Sequence, residues 1–222
     1  MKKNIYIIPV TCMLVLCMNV AGHETEEKLP DPGFRPESEH ADAFLAAVTT
    51  ATIRVYPTIV RTRKGTTFSA ASQRQIVTFI TSQNVARGST APKPIDPGKL
   101  EGTFQWEIFQ NDMKTIEKAV KTSKSGSDYT LVMVFLVTPI PSGGIAVGGI
   151  HCYILDAQGE NAFSFLLNSH HEQFIEAKLQ SDDASEAGMA RLAEKSTLVG
   201  LRALQGQIRS AKEVSDVTNR SK

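Results

Sequence analysis

The densest run of chemically competent side chains in this sequence is Asn168-Ser169-His170-His171-Glu172. Imidazoles and carboxylates ligate transition metals, and His151, on an expected neighbouring strand, can add a third imidazole. His151, His170, His171 and Glu172 therefore define one candidate site, with zinc or another transition metal as its cofactor. A metal-binding protein or metal-dependent hydrolase is the function that such a site would support.

The same residues also fit a structural assignment that needs no cofactor. Ser169 followed three residues later by Glu172 has the spacing of a capping box, in which both side chains serve unpaired backbone amides at a helix start. Consecutive helix positions diverge by about 100°, so His170 and His171 do not readily converge on one ion. Tetrahedral sites need convergent ligands that this spacing does not ensure.

Other catalytic arrangements are incomplete. No G-x-S-x-G elbow surrounds Ser169, which leaves a serine nucleophile without its usual turn. His151 and Cys152 are neighbours on an expected strand and point to opposite faces, so they form no dyad. Cys152 is expected as a small core residue. The glycines between Pro141 and Gly149 lack a Gly-Lys-Ser/Thr ending and lead into an expected strand, unlike a phosphate-cradling loop. Asp182 and Asp183 fall at an expected helix start, where the dipole favours negative charge.

The start of the chain carries an address. Lys2 and Lys3 precede an apolar run from Ile5 to Leu16, and Val20-Ala21-Gly22 offers small residues for cleavage. That order is the signal-peptide order, and the run is shorter than the ~20 residues a spanning helix needs. Residues 1–22 are thus expected to direct export to the periplasm or beyond, leaving a mature chain without a transmembrane segment. Cys17 follows Leu14-Val15-Leu16 where a bacterial lipoprotein has its lipidated cysteine, so membrane anchoring is expected only if Cys17 is lipidated.

Cleavage takes Lys2 and Lys3 from the 24 basic residues, leaving 22 against 23 acidic and a net charge of −1. That balance offers no electrostatic reason to bind nucleic acid. Only Cys152 survives cleavage, so stability must come from a packed core and not from an internal disulfide.

Patterning predicts an α/β fold, with α+β as the alternative: a single domain over 41–212, preceded by a flexible acidic, proline-containing tether over 23–40 and followed by a disordered tail over 213–222. Residues 41–48 have the pattern of a short helix. The run 50–62 alternates, with Ile53, Val55 and Ile59 on one face, and Pro57 requires an edge position or a bulge. Ser69 can cap the helix that carries Ile76, Val77 and Ile80. Residues 87–102 read as a loop, and 103–110 fits either a strand or the start of a helix running through Lys121. Three strands follow: a doubly covered one at Leu131–Val137, then Ile150–Leu155 after a glycine-rich turn, then Ala162–Leu167 after Asp156-Ala157-Gln158-Gly159. Asp183 with Glu186 has capping spacing ahead of a long amphipathic helix reaching about Ser210.

Ser127-Asp128-Tyr129-Thr130-Leu131-Val132 opens the expected meander, and Leu155-Asp156-Ala157-Gln158-Gly159-Glu160 forms its turn. With a strand, helix, linker and helix ahead of them, these residues resemble envelope proteins of the curli-secretion and penicillin-binding-protein-activator lipoprotein type. An Asp-Tyr-hydrophobic strand start and an Asp-x-x-Gly turn recur in that group. The resemblance implies an α/β domain without catalytic residues. It does not extend to the Leu16-Cys17 junction or to the cluster at 168–172, so no activator or secretion role follows from it. The function expected from these readings is an exported envelope accessory or interaction domain, without a cofactor, that binds another envelope protein.

Overall fold

Residues 38–123, 126–141 and 143–220 are described by the computed structural model, and among them an eight-stranded mixed sheet is packed by five helices. The signal segment, Cys17 and residues 23–37 lie outside the described residues. In chain order the elements are α1 (Ser38–Ala47), β1 (Thr52–Val55), β2 (Thr58–Thr62), β3 (Gly65–Ser69), α2 (Ala70–Ser82), β4 (Arg87–Thr90) and α3 (Gln105–Ser123). They are followed by β5 (Tyr129–Pro139), β6 (Ile145–Asp156), β7 (Asn161–Asn168), α4 (Glu172–Ala177), β8 (Gln180–Ser181) and α5 (Glu186–Arg220).

Pro57 sets the first bend in the sheet. β1 and β2 both pair in parallel with β5, one after the other along its length. Val55 faces Leu131 and Ile59 faces Val134, so four steps on one strand oppose three on the other. That extra residue is a β-bulge, and it turns every later side chain to the opposite face. Ile53 and Val55 therefore pack on one side of the sheet and Ile59 on the other, correcting the single face expected for all three. β1 is not an edge strand either, because β4 pairs with it in parallel on its far side.

The three strands of the meander form as patterned. β5 is buried on both faces over Tyr129–Val137 and pairs antiparallel with β6, which pairs antiparallel with β7. β6 starts at Ile145, earlier than expected, so Gly148 and Gly149 lie within a strand beside a register shift and not in the preceding turn. At the β6–β7 turn, Asp156 accepts from the amides of Gln158 and Glu160, and Gly159 takes the left-handed conformation at φ +78°.

Helices cover both faces. On one, Phe44 of α1, Ile76 and Ile80 of α2, and Leu201 and Leu204 of α5 pack with Met133, Phe135, Ile154 and Phe165. On the other, Phe109, Met113, Ile116 and Val120 of α3 pack with Val132, Val134, Tyr153 and Leu166. The ambiguity over 103–110 resolves as helix from Gln105, where Glu107 accepts from the amides of Thr103 and Phe104 at 2.8 and 3.3 Å. Ser69 caps α2 as expected, accepting from the Ser72 amide at 3.1 Å.

Several boundaries differ from the sequence expectations. Residues 38–40, assigned to the tether, begin α1, and residues 213–220, assigned to the tail, continue α5. Ser185, not Asp183, caps α5 by accepting from the Gly188 amide at 3.3 Å, while Asp183 accepts from the Ser185 amide. β4 occupies the first residues of the expected 87–102 loop, and Gln73 of α2 ties β1 to the chain beyond β4 by donating to the carbonyls of Val55 and Ala91 at 2.7 and 2.8 Å.

Candidate functional site

Asn168 ends β7 opposite Gly149, and its side chain organises the turn that follows. Its Oδ1 accepts from the His170 amide at 3.0 Å, while its own amide stands 3.1 Å from Nδ1 of His171. Nδ1 of His171 stands equally 3.1 Å from Asn168 Oδ1, so it accepts from the amide in one tautomer and donates to the side-chain oxygen in the other, and burial holds this imidazole below its ordinary pKa. His171 is the residue that precedes α4, and its side chain makes no capping bond to that helix. Ser169 is exposed in the turn, so the expected capping box of Ser169 and Glu172 does not form. The N-cap position falls on His171, two residues past Ser169.

His151 lies on β6, fully buried under α3. The Tyr153 hydroxyl donates to the Phe109 carbonyl at 3.0 Å and stands 3.2 Å from Nδ1 of His151. Since its one proton goes to Phe109, Tyr153 must accept from Nδ1–H, which leaves Nε2 of His151 as a lone-pair acceptor. No hydrogen-bond partner faces Nε2 among the described residues. Burial holds His151 down at about 3, with the Arg61 charge adding to the effect. His170, His171 and Glu172 sit in the half-exposed turn instead. Among the described residues, no group of three or more histidine, cysteine, aspartate or glutamate side chains is placed to hold a metal.

Cys152 points to the opposite face from His151, where burial raises its thiol. It is a core side chain in an apolar layer, as its neighbourhood in the sequence suggests.

The polar centre beneath α3 was not among the sequence candidates. Arg61 of β2 and Asp112 of α3 are 1% and 2% exposed and form an ion pair through Nη1 and Oδ1. Nη2 of Arg61 also donates to the Gly98 carbonyl at 3.0 Å, which pins the segment leading into α3. Burial pushes the Asp112 carboxyl up to about 7, with Arg61 pulling the other way. A signal for this pair exists in the sequence: Arg61 shares the strand parity of Ile59, and Asp112 falls at helical spacing between Phe109 and Ile116. Each is a charge at a core position. The ion pair joins strand, helix and loop, and Asp112 also lines a small cleft of about 280 Å³ with Gly98 and Thr115.

Several further clefts open at the surface, two of them beside β3 and β1. A groove of about 320 Å³ runs between β3 and α5, floored by Val60, Met189 and Ala193 and flanked by Thr67 and Phe68. Phe68 is 42% exposed at this edge, and β3 pairs only with β2 among the described residues. The second cleft, about 420 Å³, lies between β1, residues 92–96 and the end of α3.

No protein-family profile matches the chain, and no curated protein matches it. Among solved structures, the chain is similar to a subunit of the PelC dodecamer from Paraburkholderia phytofirmans, at 12% identity and a TM-score of 0.34, over 69% of this chain and 89% of that one.

Proposed function

We propose that this chain is an exported cell-envelope accessory protein that acts by binding another protein and has no catalytic activity of its own. The observation that carries the reading is the outer edge of β3 with its adjoining groove. An edge strand presents unpaired backbone donors and acceptors, and an extended segment of a partner can pair with them while its side chains enter a neighbouring apolar slot. Phe68, exposed at the same edge and opposite Ile59 on the sheet face away from the groove, supplies an aromatic anchor of the kind that concentrates binding energy at interfaces.

Export rests on Lys2, Lys3, the Ile5–Leu16 run and Val20-Ala21-Gly22, and lipidation at Cys17 would add an anchor. No helix among the described residues is long and apolar enough to cross a membrane.

Affinity capture from solubilised envelopes tests the reading, using wild-type protein, Phe68→Asp and Leu198→Asp. Leu198 is equally exposed, on α5 but outside the groove lining. A partner held by wild type and Leu198→Asp but lost by Phe68→Asp is the expected result. Equal retention by all three would contradict it.

A further inference from the structure

The second cleft holds a cation that makes no ion pair among the described residues. Arg54 lies on β1 between β5 and β4, half-buried on the α3 face of the sheet. Its Nε is withdrawn from solvent with no hydrogen-bond partner, and Arg54 makes no ion pair among the described residues. Thr130, which faces Arg54 across the β1–β5 pairing, holds a fully buried hydroxyl that also lacks a partner. Two adjacent strands thus hold unsatisfied polar atoms on one face, and of the two residues Arg54 lines the cleft. Such groups are costly to bury unless an anion or acceptor completes them.

Around Arg54 the cleft is built for a small molecule. Ile95, Ala119 and the ring of Tyr56 give it apolar walls, and the Tyr56 hydroxyl is already committed to Ser123 at 3.0 Å. Lys93 brings a second positive charge to the lining and Asp96 a negative one. The volume of about 420 Å³ suits a ligand of modest size.

We propose that this cleft binds a monocarboxylate with a compact apolar body. The guanidinium fork of Arg54 matches a carboxylate in geometry and charge, and Lys93 adds long-range attraction. The apolar walls set the selectivity: they bury the alkyl body of a carboxylate, whereas inorganic phosphate has no apolar part to place there and keeps its hydration. The apolar body fills the space between Ile95 and Ala119.

The test is a titration of the isotope-labelled full chain with hexanoate and, separately, with inorganic phosphate, followed by nuclear magnetic resonance at the Arg54 Nε–H and the Ile95 and Ala119 amides. Hexanoate should give saturable shifts at all three, and phosphate at equal concentration should give none. Arg54→Gln should weaken hexanoate binding at least about tenfold, and Lys93→Ala about fivefold. Lys93 is exposed, so that variant decides the matter if Arg54→Gln fails to fold. Absence of saturable shifts with hexanoate, unchanged affinity in Lys93→Ala, or tighter binding of phosphate would overturn the proposal.

Discussion

The Tyr153 hydroxyl stands 3.2 Å from Nδ1 of His151 and accepts its proton, because its own goes to the Phe109 carbonyl 3.0 Å away. This relay fixes the tautomer of a fully buried imidazole and joins β6 to α3. Tyr153→Phe leaves both His151 Nδ1–H and the Phe109 carbonyl without this partner. We expect a stability loss of about 1–3 kcal/mol, read as a lower urea midpoint with an unchanged slope. A wild-type midpoint would show that the relay contributes nothing.

His151 and Asp112 should pull the pH dependence of stability in opposite directions. The folded state keeps His151 neutral down to about 3, while the unfolded imidazole takes a proton below about 6.5. Stability from His151 is therefore present above that range and lost as pH falls through it. Asp112 keeps its proton up to about 7 when folded but releases it near 3.8 when unfolded, so its contribution is present at low pH and lost as pH rises. Between pH 4 and 6.5 the two slopes largely cancel. His151→Leu should then gain about 2 kcal/mol on wild type when urea unfolding is moved from pH 6.5 to pH 4.5. An unchanged difference between the two proteins would contradict the buried neutral histidine.

Removing one member of the Arg61–Asp112 pair should cost more on one side than on the other. Asp112→Leu strands a guanidinium that cannot shed its proton, whereas Arg61→Met leaves a carboxyl that can stay neutral. We expect a loss of about 3–5 kcal/mol for Asp112→Leu, less for Arg61→Met, and recovery of most of it in the double variant. Chemical denaturation of the three variants measures this directly. Equal losses from the single variants, with no recovery in the double, would show that the pair is more than a paired charge.

Two serines at apparent helix starts should behave differently. Ser69→Ala removes the acceptor of the Ser72 amide and should lower stability by about 1 kcal/mol. Ser169→Ala, in an exposed turn, should change it by less than about 0.5 kcal/mol. Thermal unfolding of the two proteins checks both values.

Much of the fold was legible where side-chain patterning dictates it. The apolar run of β5, the Asp156–Gly159 turn and the stripe of α5 follow from burial on one or both faces. β3 and β4 were not legible, since Gly65-Thr66-Thr67 and Arg87-Gly88-Ser89-Thr90 carry no apolar pattern and are recruited by backbone pairing to β2 and β1. The bulge at Tyr56-Pro57 was foreseen as one of two outcomes, but its reversal of faces was not. At the candidate cluster, Ser169 and Glu172 had the right spacing and the wrong backbone. Asn168 holds the turn closed through His170 and His171, and the helix begins only afterwards. The Arg61–Asp112 pair joins residues far apart in sequence, so it becomes visible only when core-position charges on different elements are matched.

The central claim, that this protein works through the edge of β3, is tested most directly by site-specific photo-cross-linking in whole cells. A photoreactive residue at position 68 should give one discrete adduct with an envelope protein, and the same residue at position 198 should give none. No adduct from position 68, or the same adduct from both positions, would contradict the account.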